Sequence, residues 1–182
     1  MTKERLYPVI PYIGIPIIAA SMLILRAGRP DPFVTLLYEL LIIFGYFASV
    51  VDVKAKKIPN GLVLGMLAAW VLAMTPKLFF DTDTAVALLG TSALGFAVGG
   101  GVFVLVYLVS RKGLGGGDVK FMAAAGLYLG FDCVLPSMLF GTILAALLSL
   151  TLMFMKKIGR KDSIPLVPFL YAGILITIFF AR

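Results

Sequence analysis

Residues 33–51 read FVTLLYELLIIFGYFASVV, an apolar run that contains one charged residue, Glu39. A run of roughly 18 or more apolar residues can cross a hydrocarbon core of about 30 Å as an α-helix. This run ends at Asp52, and three lysines follow within residues 54–57. The pattern predicts a membrane-spanning helix whose C-terminal end lies at a basic membrane surface.

The rest of the chain has the same character. Of its 182 residues, 61% are hydrophobic and 14% are charged, whereas about a quarter of a globular chain is normally charged. Lipid admits only helices and closed barrels, because each backbone polar group must be paired within the structure. The apolar residues do not alternate with period two, which argues against a barrel. We therefore predict an all-α fold, a polytopic membrane helical bundle.

Seven apolar segments predict six core transmembrane helices plus one extra N-terminal helix. They lie at about 8–25, 33–51, 61–74 or slightly beyond, 84–110, 119–130, 134–155 and 164–181. We divide the chain into an N-terminal region, 1–32, and a core domain, 33–182. The fifth segment rises only about 20 Å as a helix, so we expect it to be re-entrant or to start in a water-filled cavity.

The first segment has two interpretations. Lys3 and Arg5 before an apolar stretch resemble the start of a signal peptide. However, the stretch contains three prolines and no clean small-residue cleavage site. We favour a retained helix, and either interpretation leaves the remaining topology unchanged.

The distribution of charge predicts the orientation. Basic residues follow the second, fourth and sixth segments, and this excess in short loops marks the cytoplasmic side of a cell membrane. They are Lys54, Lys56, Lys57, Arg111, Lys112, Lys120, Lys156, Lys157, Arg160 and Lys161, while the opposite loops carry Asp81, Asp83 and Asp132. Arg26 and Arg29 fall on the outer side against this rule. Topology thus accounts for the net charge of +7, and we expect no nucleic-acid partner.

The residue inventory restricts the chemistry. The chain has one cysteine, Cys133, and no histidine. This excludes a disulfide framework, a four-cysteine zinc site, a His-ligated metal and Ser-His or Cys-His catalysis within these residues. We predict no metal and no cofactor, and the remaining acid–base groups are those of Asp, Glu, Lys and Tyr.

Asp52 and Asp118 are the candidate reactive groups. Asp52 faces the negative end of its helix dipole, which is unfavourable by roughly 0.3–1 kcal/mol. The alternative to a reactive role is an ordinary surface aspartate that pairs with Lys54 or Lys56. Asp118 follows three glycines, and an N-cap is the simple alternative there. Glycines also allow a substrate backbone to approach closely.

Both aspartates are predicted on the same membrane side, because two crossings separate them. Two nearby carboxylates titrate as a unit with one shared proton. The charged member can deprotonate a water while the protonated member polarises a scissile carbonyl. Glu39, inside the second segment, is predicted to form a structural hydrogen bond.

Three motifs carry a resemblance to a known family. Gly115-Gly116-Gly117-Asp118 fits the GxGD motif of membrane aspartyl proteases, and residues 113–120, GLGGGDVK, resemble the second active-site motif of type IV prepilin peptidases and archaeal preflagellin peptidases. Residues 52–60, with Asp52, Pro59 and Asn60, resemble their first motif. Residues 164–170, IPLVPFL, are similar to the start of their last helix. The resemblance covers about residues 33–181.

The resemblance implies a membrane aspartic endopeptidase. Such enzymes cut the short basic leader from prepilin-like or preflagellin-like proteins at the cytoplasmic membrane face. Asp52 and Asp118 would be the catalytic pair. The motif or substrate-binding positions would be Gly115, Gly116, Gly117, Lys120, Pro59 and Asn60. Many bacterial members also methylate the product with a domain bearing paired CxxC motifs, so a chain whose one cysteine is Cys133 is expected to be a peptidase-only form.

Two other functions remain open at this point. A small ion-coupled or proton-coupled transporter would use intramembrane carboxylates and the broken fifth helix as its site. A presenilin-type protease would share GxGD but pair it with a Tyr-Asp motif, whereas Val51 precedes Asp52 here.

Overall fold

A computed structural model of the chain describes residues 20–21, 31–110, 114–156 and 164–180. Within these residues the fold is all-helical. Its helices are α1 (Pro32–Ala55), α2 (Asn60–Phe80), α3 (Thr82–Val109), α4 (Gly116–Phe154) and α5 (Val167–Phe180). Helices α1 to α4 are each long and apolar enough to cross a membrane. The predicted all-α membrane fold is confirmed.

Several sequence predictions lie outside the described residues. The predicted N-terminal helix at 8–25 lies outside the described residues except for residues 20 and 21. Arg26 and Arg29, whose predicted outer position runs against the charge rule, also lie outside them. Of the basic loops, residues 111–113 and 157–163 are also outside. The count of six core helices plus one extra helix therefore stays a prediction.

Several helix boundaries differ from those predicted by a few residues, for example the end of α1 at Ala55 rather than residue 51 and the start of α4 at Gly116 rather than residue 119. Helix α2 continues beyond residue 74 to Phe80, past Pro76, although an internal proline removes one backbone hydrogen bond and usually kinks or ends a helix. Helix α5 begins at Val167 rather than residue 164. Residues 164–166 are non-helical, which agrees with the bias of a residue before proline toward extended backbone.

Gly130 divides α4 into two arms, residues 116–129 and 131–154. Its φ of 67° and ψ of −179° are non-helical, and this conformation is open almost exclusively to glycine. A Cβ at Gly99 would lie 2.6 Å from the Met122 carbonyl oxygen and 3.1 Å from Cγ2 of Val134. Met122 and Val134 would be about 18 Å apart along a straight helix. The second arm therefore folds back beside the first, without the loop predicted at residues 131–133.

The α3–α4 interface is close-packed. A Cβ added at Gly95 would collide with the Gly126 carbonyl oxygen, and one added at Gly126 would collide with that of Gly95. Small residues allow helix backbones to approach in this way within a membrane, where packing replaces the hydrophobic effect. The short first arm is thus fixed against α3, and its N-terminal end, which carries Asp118, is fixed with it.

The core and the outer surface are both apolar. Fully buried side chains from α1, α2, α4 and α5 form the centre, among them Leu41, Ile42, Met66, Phe121, Met122, Leu170 and Ile174. Large apolar side chains also remain exposed, such as Leu72 on α2 and Leu105 on α3. A water-soluble protein rarely exposes so much contiguous apolar surface, and a lipid environment accounts for it.

Asp81 joins α2 to α3 at the end of the bundle opposite Asp52. Its carboxylate accepts a hydrogen bond from the Thr84 backbone N–H and lies 2.7 Å from the Lys77 ammonium. The Lys77 side chain, with a smaller contribution from Thr84, lowers the pKa of this exposed carboxyl. Asp81 has a local structural role as a helix cap.

Candidate active site

Asp52 is tied to a distant helix. It lies near the C-terminal end of α1 and is 5% exposed. Its Oδ2 accepts a hydrogen bond from the backbone N–H of Val167, the first residue of α5, at 3.1 Å. Leu166 and Lys56 line the same cavity as Asp52. The aspartate that opposes its own helix dipole is therefore accommodated by the N-terminus of another helix.

Asp118 is held by its own helix. It is 9% exposed, and its Oδ2 accepts the backbone N–H of Gly115 at 3.2 Å. The N-cap of α4 is Gly115, so Asp118 is the third residue of the helix and reaches back toward the cap. The interpretation of Asp118 as the N-cap residue was therefore wrong, because Asp118 lies three residues after the cap. Its carboxylate nevertheless satisfies one of the unpaired N–H groups at the helix N-terminus.

Both carboxylates line the same cavity of about 620 Å³. They are near enough for the charge of Asp52 to act on Asp118. Beyond the two aspartates the lining comes from three segments, Lys56–Ile58, Leu114–Gly117 and Ile164–Leu166. The cavity thus joins the three stretches that carry the motifs, although they are far apart in the sequence.

The loop after α1 packs against the glycine turn. A Cβ at Gly117 would lie 3.2 Å from Cβ of Ile58, so only a small residue at 117 allows this approach. Nearby, the Lys120 ammonium donates a hydrogen bond to Oδ1 of Asn60 at 3.0 Å. These contacts bring the first and second motifs together beside the cavity.

The predicted motif positions occupy different places. Gly115, Gly116 and Gly117 line the cavity. Pro59, Asn60 and Lys120 are exposed and are not part of the cavity lining. Gly113 lies outside the described residues. Glu39 is buried within α1, away from the cavity, and its structural role stays a prediction.

Sequence reasoning did not select all the residues that form the site. The N–H of Val167 holds Asp52, and Ile58 packs on the glycine turn. The sequence did contain a signal for the helix start that holds Asp52, because Pro165 and Pro168 are typical of the start of a helix. No sequence signal could show which distant carboxylate that helix start would face.

The arrangement suits proton transfer between carboxylates. Two carboxylates that come within a few ångströms of each other cannot easily both ionise, and such a pair shares one proton. Such a pair can activate water and polarise a carbonyl at the same time. Among the residues that the structure describes, no group of three or more Cys, Asp or Glu side chains could hold a metal ion.

Comparison with known proteins decides the family. The sequence model of the type IV leader peptidase family matches residues 39–150, more than half of the chain. The chain belongs to the type IV leader peptidase family. The match runs from within α1 through most of α4 and includes both candidate aspartates.

Curated relatives bear the name prepilin leader peptidase/N-methyltransferase. The relative from Legionella pneumophila is 32% identical over 80% of this chain and 50% of its own length. Those from Xanthomonas campestris and Bacillus subtilis are 30% and 25% identical, over 67% and 69% of this chain and 42% and 48% of their own lengths. This member of the leader peptidase family thus spans half or less of these relatives. No solved structure matches the chain.

Proposed function

We propose that this chain is a membrane aspartic endopeptidase that removes the short basic leader of prepilin-like or preflagellin-like proteins. The observation that carries the proposal is that Asp52 and Asp118, from two separate motifs, face the same cavity. Family membership supports the substrate class, because the curated relatives are named prepilin leader peptidases.

In this mechanism the two carboxylates share one proton. The ionised carboxylate removes a proton from a water molecule, whose oxygen attacks the scissile carbonyl. The protonated carboxyl donates a hydrogen bond to the carbonyl oxygen, where negative charge develops. The glycine turn lines the cavity with backbone alone at Gly115–Gly117, so an extended peptide can approach Asp118 closely.

We place the site at the cytoplasmic membrane face. The end of α1 and the start of α4 meet at the cavity, and Lys56 and Lys57 contribute to its lining, in accordance with the positive-inside rule. The two folded-back arms of α4 support six core crossings within residues 33–182, with residues 1–32 supplying a further helix. The lipid bilayer surrounds this bundle. We also propose that this chain acts as a peptidase only, without the methyltransferase activity.

The alternative of an ion-coupled or proton-coupled transporter is less well supported. Carriers of that kind hold their substrate near the bilayer midplane, at interrupted helices. Here the interruption at Gly130 lies at the far end of the first arm from Asp118. The carboxylate pair instead lies at helix ends, beside loops, where an extended peptide can enter.

Co-expression with pilin-like and archaellin-like precursors tests the proposal. Leader removal would be followed by gel shift for the wild type, Asp52→Asn and Asp118→Asn. The cleavage rate of each variant should fall by at least about 10³-fold, because removing either member of a catalytic pair disables the whole pair. Asp132→Asn, which changes an exposed carboxylate outside the cavity, is the matched control. Unimpaired cleavage by either active-site variant at equal expression would refute the proposed mechanism.

A further inference from the structure

A second, smaller hollow lies between α1 and α5, beside the active-site cavity. Its volume is about 210 Å³. Helix α1 contributes a stripe of residues three and four positions apart, which places them on one face of the helix, and α5 contributes two residues from its first turns. The lining residues are Tyr46, Ser49, Val50, Val53, Lys54, Pro168 and Tyr171. We call this hollow the α1–α5 groove.

The surface of the groove is almost wholly apolar. A Cβ at Gly45 would lie 2.6 Å from Cδ2 of Tyr171, so the Tyr171 ring packs directly on the α1 backbone. The Ser49 hydroxyl donates a hydrogen bond to the Gly45 carbonyl oxygen at 2.7 Å and is satisfied within α1. Aromatic rings and aliphatic side chains therefore form the lining, and apolar side chains can pack there, whereas a polar group would lose its hydrogen bonds to water.

The groove and the cavity lie on either side of one contact between α1 and α5. In that contact Oδ2 of Asp52 accepts the N–H of Val167 at 3.1 Å. Asp52 lines the cavity, while the residues that follow the two partners, Val53 and Pro168, line the groove. Consecutive residues are about 3.8 Å apart, so a short extended stretch of peptide can reach from the cavity to the groove around these helix ends.

The opposite side of the cavity is closed by packing. A Cβ at Gly117 would lie 3.2 Å from Cβ of Ile58, and the Lys120 ammonium donates to Oδ1 of Asn60 at 3.0 Å. Both contacts join the start of α4 to the loop and helix that follow α1. Among the segments that the structure describes, the α1–α5 side thus offers a peptide in the cavity more room to continue into the membrane.

The groove extends from the level of the active site into the apolar span. Tyr46 and Lys54 are eight residues apart, which is about 12 Å along α1. Lys54 lies at the surface end, close to Asp52 in the chain, and is exposed. Its charge repels a basic leader, so the end of the substrate that enters the groove must be the uncharged one.

We propose that the α1–α5 groove binds the apolar, membrane-inserted segment that follows the leader of the precursor, so that the substrate reaches the two aspartates sideways from the bilayer. The proposal rests on the proposed function and adds the surface that recognises the substrate outside the cavity. A precursor cut at the membrane face keeps this segment in the bilayer beside the enzyme during cleavage. If it is helical, its side chains at i, i+3 and i+4 can enter the groove, as in other helix-in-groove complexes.

A lipid acyl chain could pack on the same apolar surface. The position of the groove favours the substrate, because the Asp52–Val167 contact separates it from the cavity that would hold the scissile bond. Lipid as the occupant is therefore an outcome that the experiments must be able to reveal.

Val53→Trp tests the groove by filling it. Val104→Trp on α3 is the matched control, since the two valines are 42% and 43% exposed and Val104 does not line the groove. Two substrates would be compared, a complete pilin-like precursor in liposomes and a short peptide that contains the cleavage site without the apolar segment. The measured quantity is the ratio of kcat/KM for the precursor to kcat/KM for the peptide.

This ratio should fall roughly tenfold in Val53→Trp, mainly through a higher KM for the precursor, because one apolar anchor side chain contributes binding energy of that order. The ratio should be unchanged in Val104→Trp. Because any disturbance of the neighbouring Asp52 slows both substrates, it cancels in the ratio. A ratio equal to that of the wild type in Val53→Trp would overturn the proposal.

Photo-crosslinking identifies the occupant directly. The photoreactive residue p-benzoyl-phenylalanine would replace Val50 or, as the control, Val104 in the full-length Asp118→Asn protein, reconstituted with the same precursor. Mass spectrometry should find adducts between position 50 and the apolar segment of the precursor, several-fold more abundant than those from position 104. Adducts with phospholipid alone, with a second copy of the chain or with the leader would overturn the proposal, even if Val53→Trp proved unstable.

The experiments also separate this proposal from the proposed function. If the wild type cleaves neither the precursor nor the peptide, the proposed function fails. If cleavage depends on both aspartates but the ratio is unchanged and position 50 gives no precursor adduct, the peptidase stands and the groove is not its binding surface.

Discussion

Asp118 is held by the helix that carries it, whereas Asp52 is held by a helix that begins 115 residues further along the chain. The Asp118 carboxylate bonds to Gly115, three residues before it, so this part of the site forms whenever α4 starts. The Asp52 carboxylate depends on α5 being packed in place. One half of the site is therefore local, and the other depends on the assembled bundle.

This difference suggests where the site is most vulnerable. A change in the packing of α5 should disturb Asp52 and leave the turn around Asp118 intact. A change in the glycine turn should alter the distance between the two halves without unfolding the bundle. Three sets of variants test this comparison, in order of expected effect.

Gly173→Leu should have the largest effect. A Cβ at Gly173 would collide with the Gly141 N and the Ser137 carbonyl oxygen, and it would lie 2.8 Å from Gly141 Cα. A larger side chain must push α5 away from the second arm of α4, because backbone atoms cannot move aside easily. We expect loss of the monodisperse peak in detergent size-exclusion chromatography and loss of cleavage.

Gly90→Leu is the control for that variant, since nothing lies within 4 Å of a Cβ at Gly90. It should elute and melt like the wild type. A Gly173→Leu protein that remains folded and active would show that the hold on Asp52 does not depend on the close packing of α5.

Gly117→Val should have an intermediate effect. A Cβ there would meet Cβ of Ile58 at 3.2 Å, so a β-branched side chain separates the glycine turn from the loop after α1. We expect cleavage to fall by about 100-fold with little change in melting temperature, because misplacement of catalytic groups by about 1 Å has this order of effect.

Gly61→Val serves as the comparison, because a Cβ at Gly61 has open space around it. Its cleavage rate should stay within a few-fold of the wild type. Equal losses in the two variants would mean that the Gly117–Ile58 contact does not set the spacing of the carboxylates.

The Lys120–Asn60 hydrogen bond should have the smallest effect. Both side chains are exposed, so the bond contributes only about 0.5–1 kcal/mol to joining the two motifs. Lys120→Ala and Asn60→Ala should each slow cleavage by a few-fold, and the double variant should lose little more than either alone. Strictly additive losses in this cycle would show that the two residues act independently.

The sequence was informative about one half of the site and about the general fold. Long apolar runs predicted the positions of α1 to α3, apart from the last turns of α2, because a membrane crossing requires a minimum apolar length wherever it occurs. The glycines before Asp118 predicted a backbone-lined turn for a similar local reason. The fifth and sixth segments were predicted as separate helices with a loop, but Gly130 alone reverses the chain between them.

Asp52 shows the limit of sequence reasoning. Its position at the end of α1 seemed unfavourable because the compensating N–H belongs to Val167, which is far along the chain. Prolines at 165 and 168 indicated a helix start, and no local pattern indicated which side chain it would receive. Likewise, the glycine at 117 indicated a close approach, while its partner, Ile58, became evident only from the packing.

The sequence by itself determined that the chain is a helical membrane protein with two candidate aspartates, no histidine and one cysteine, because composition, apolar run length and local motifs depend on neighbouring residues. Only the tertiary structure decided that both carboxylates face one cavity, and that each is capped by a different helix N-terminus. Those facts depend on contacts between residues far apart in the chain, and the glycine-mediated packing of α3, α4 and α5 establishes them.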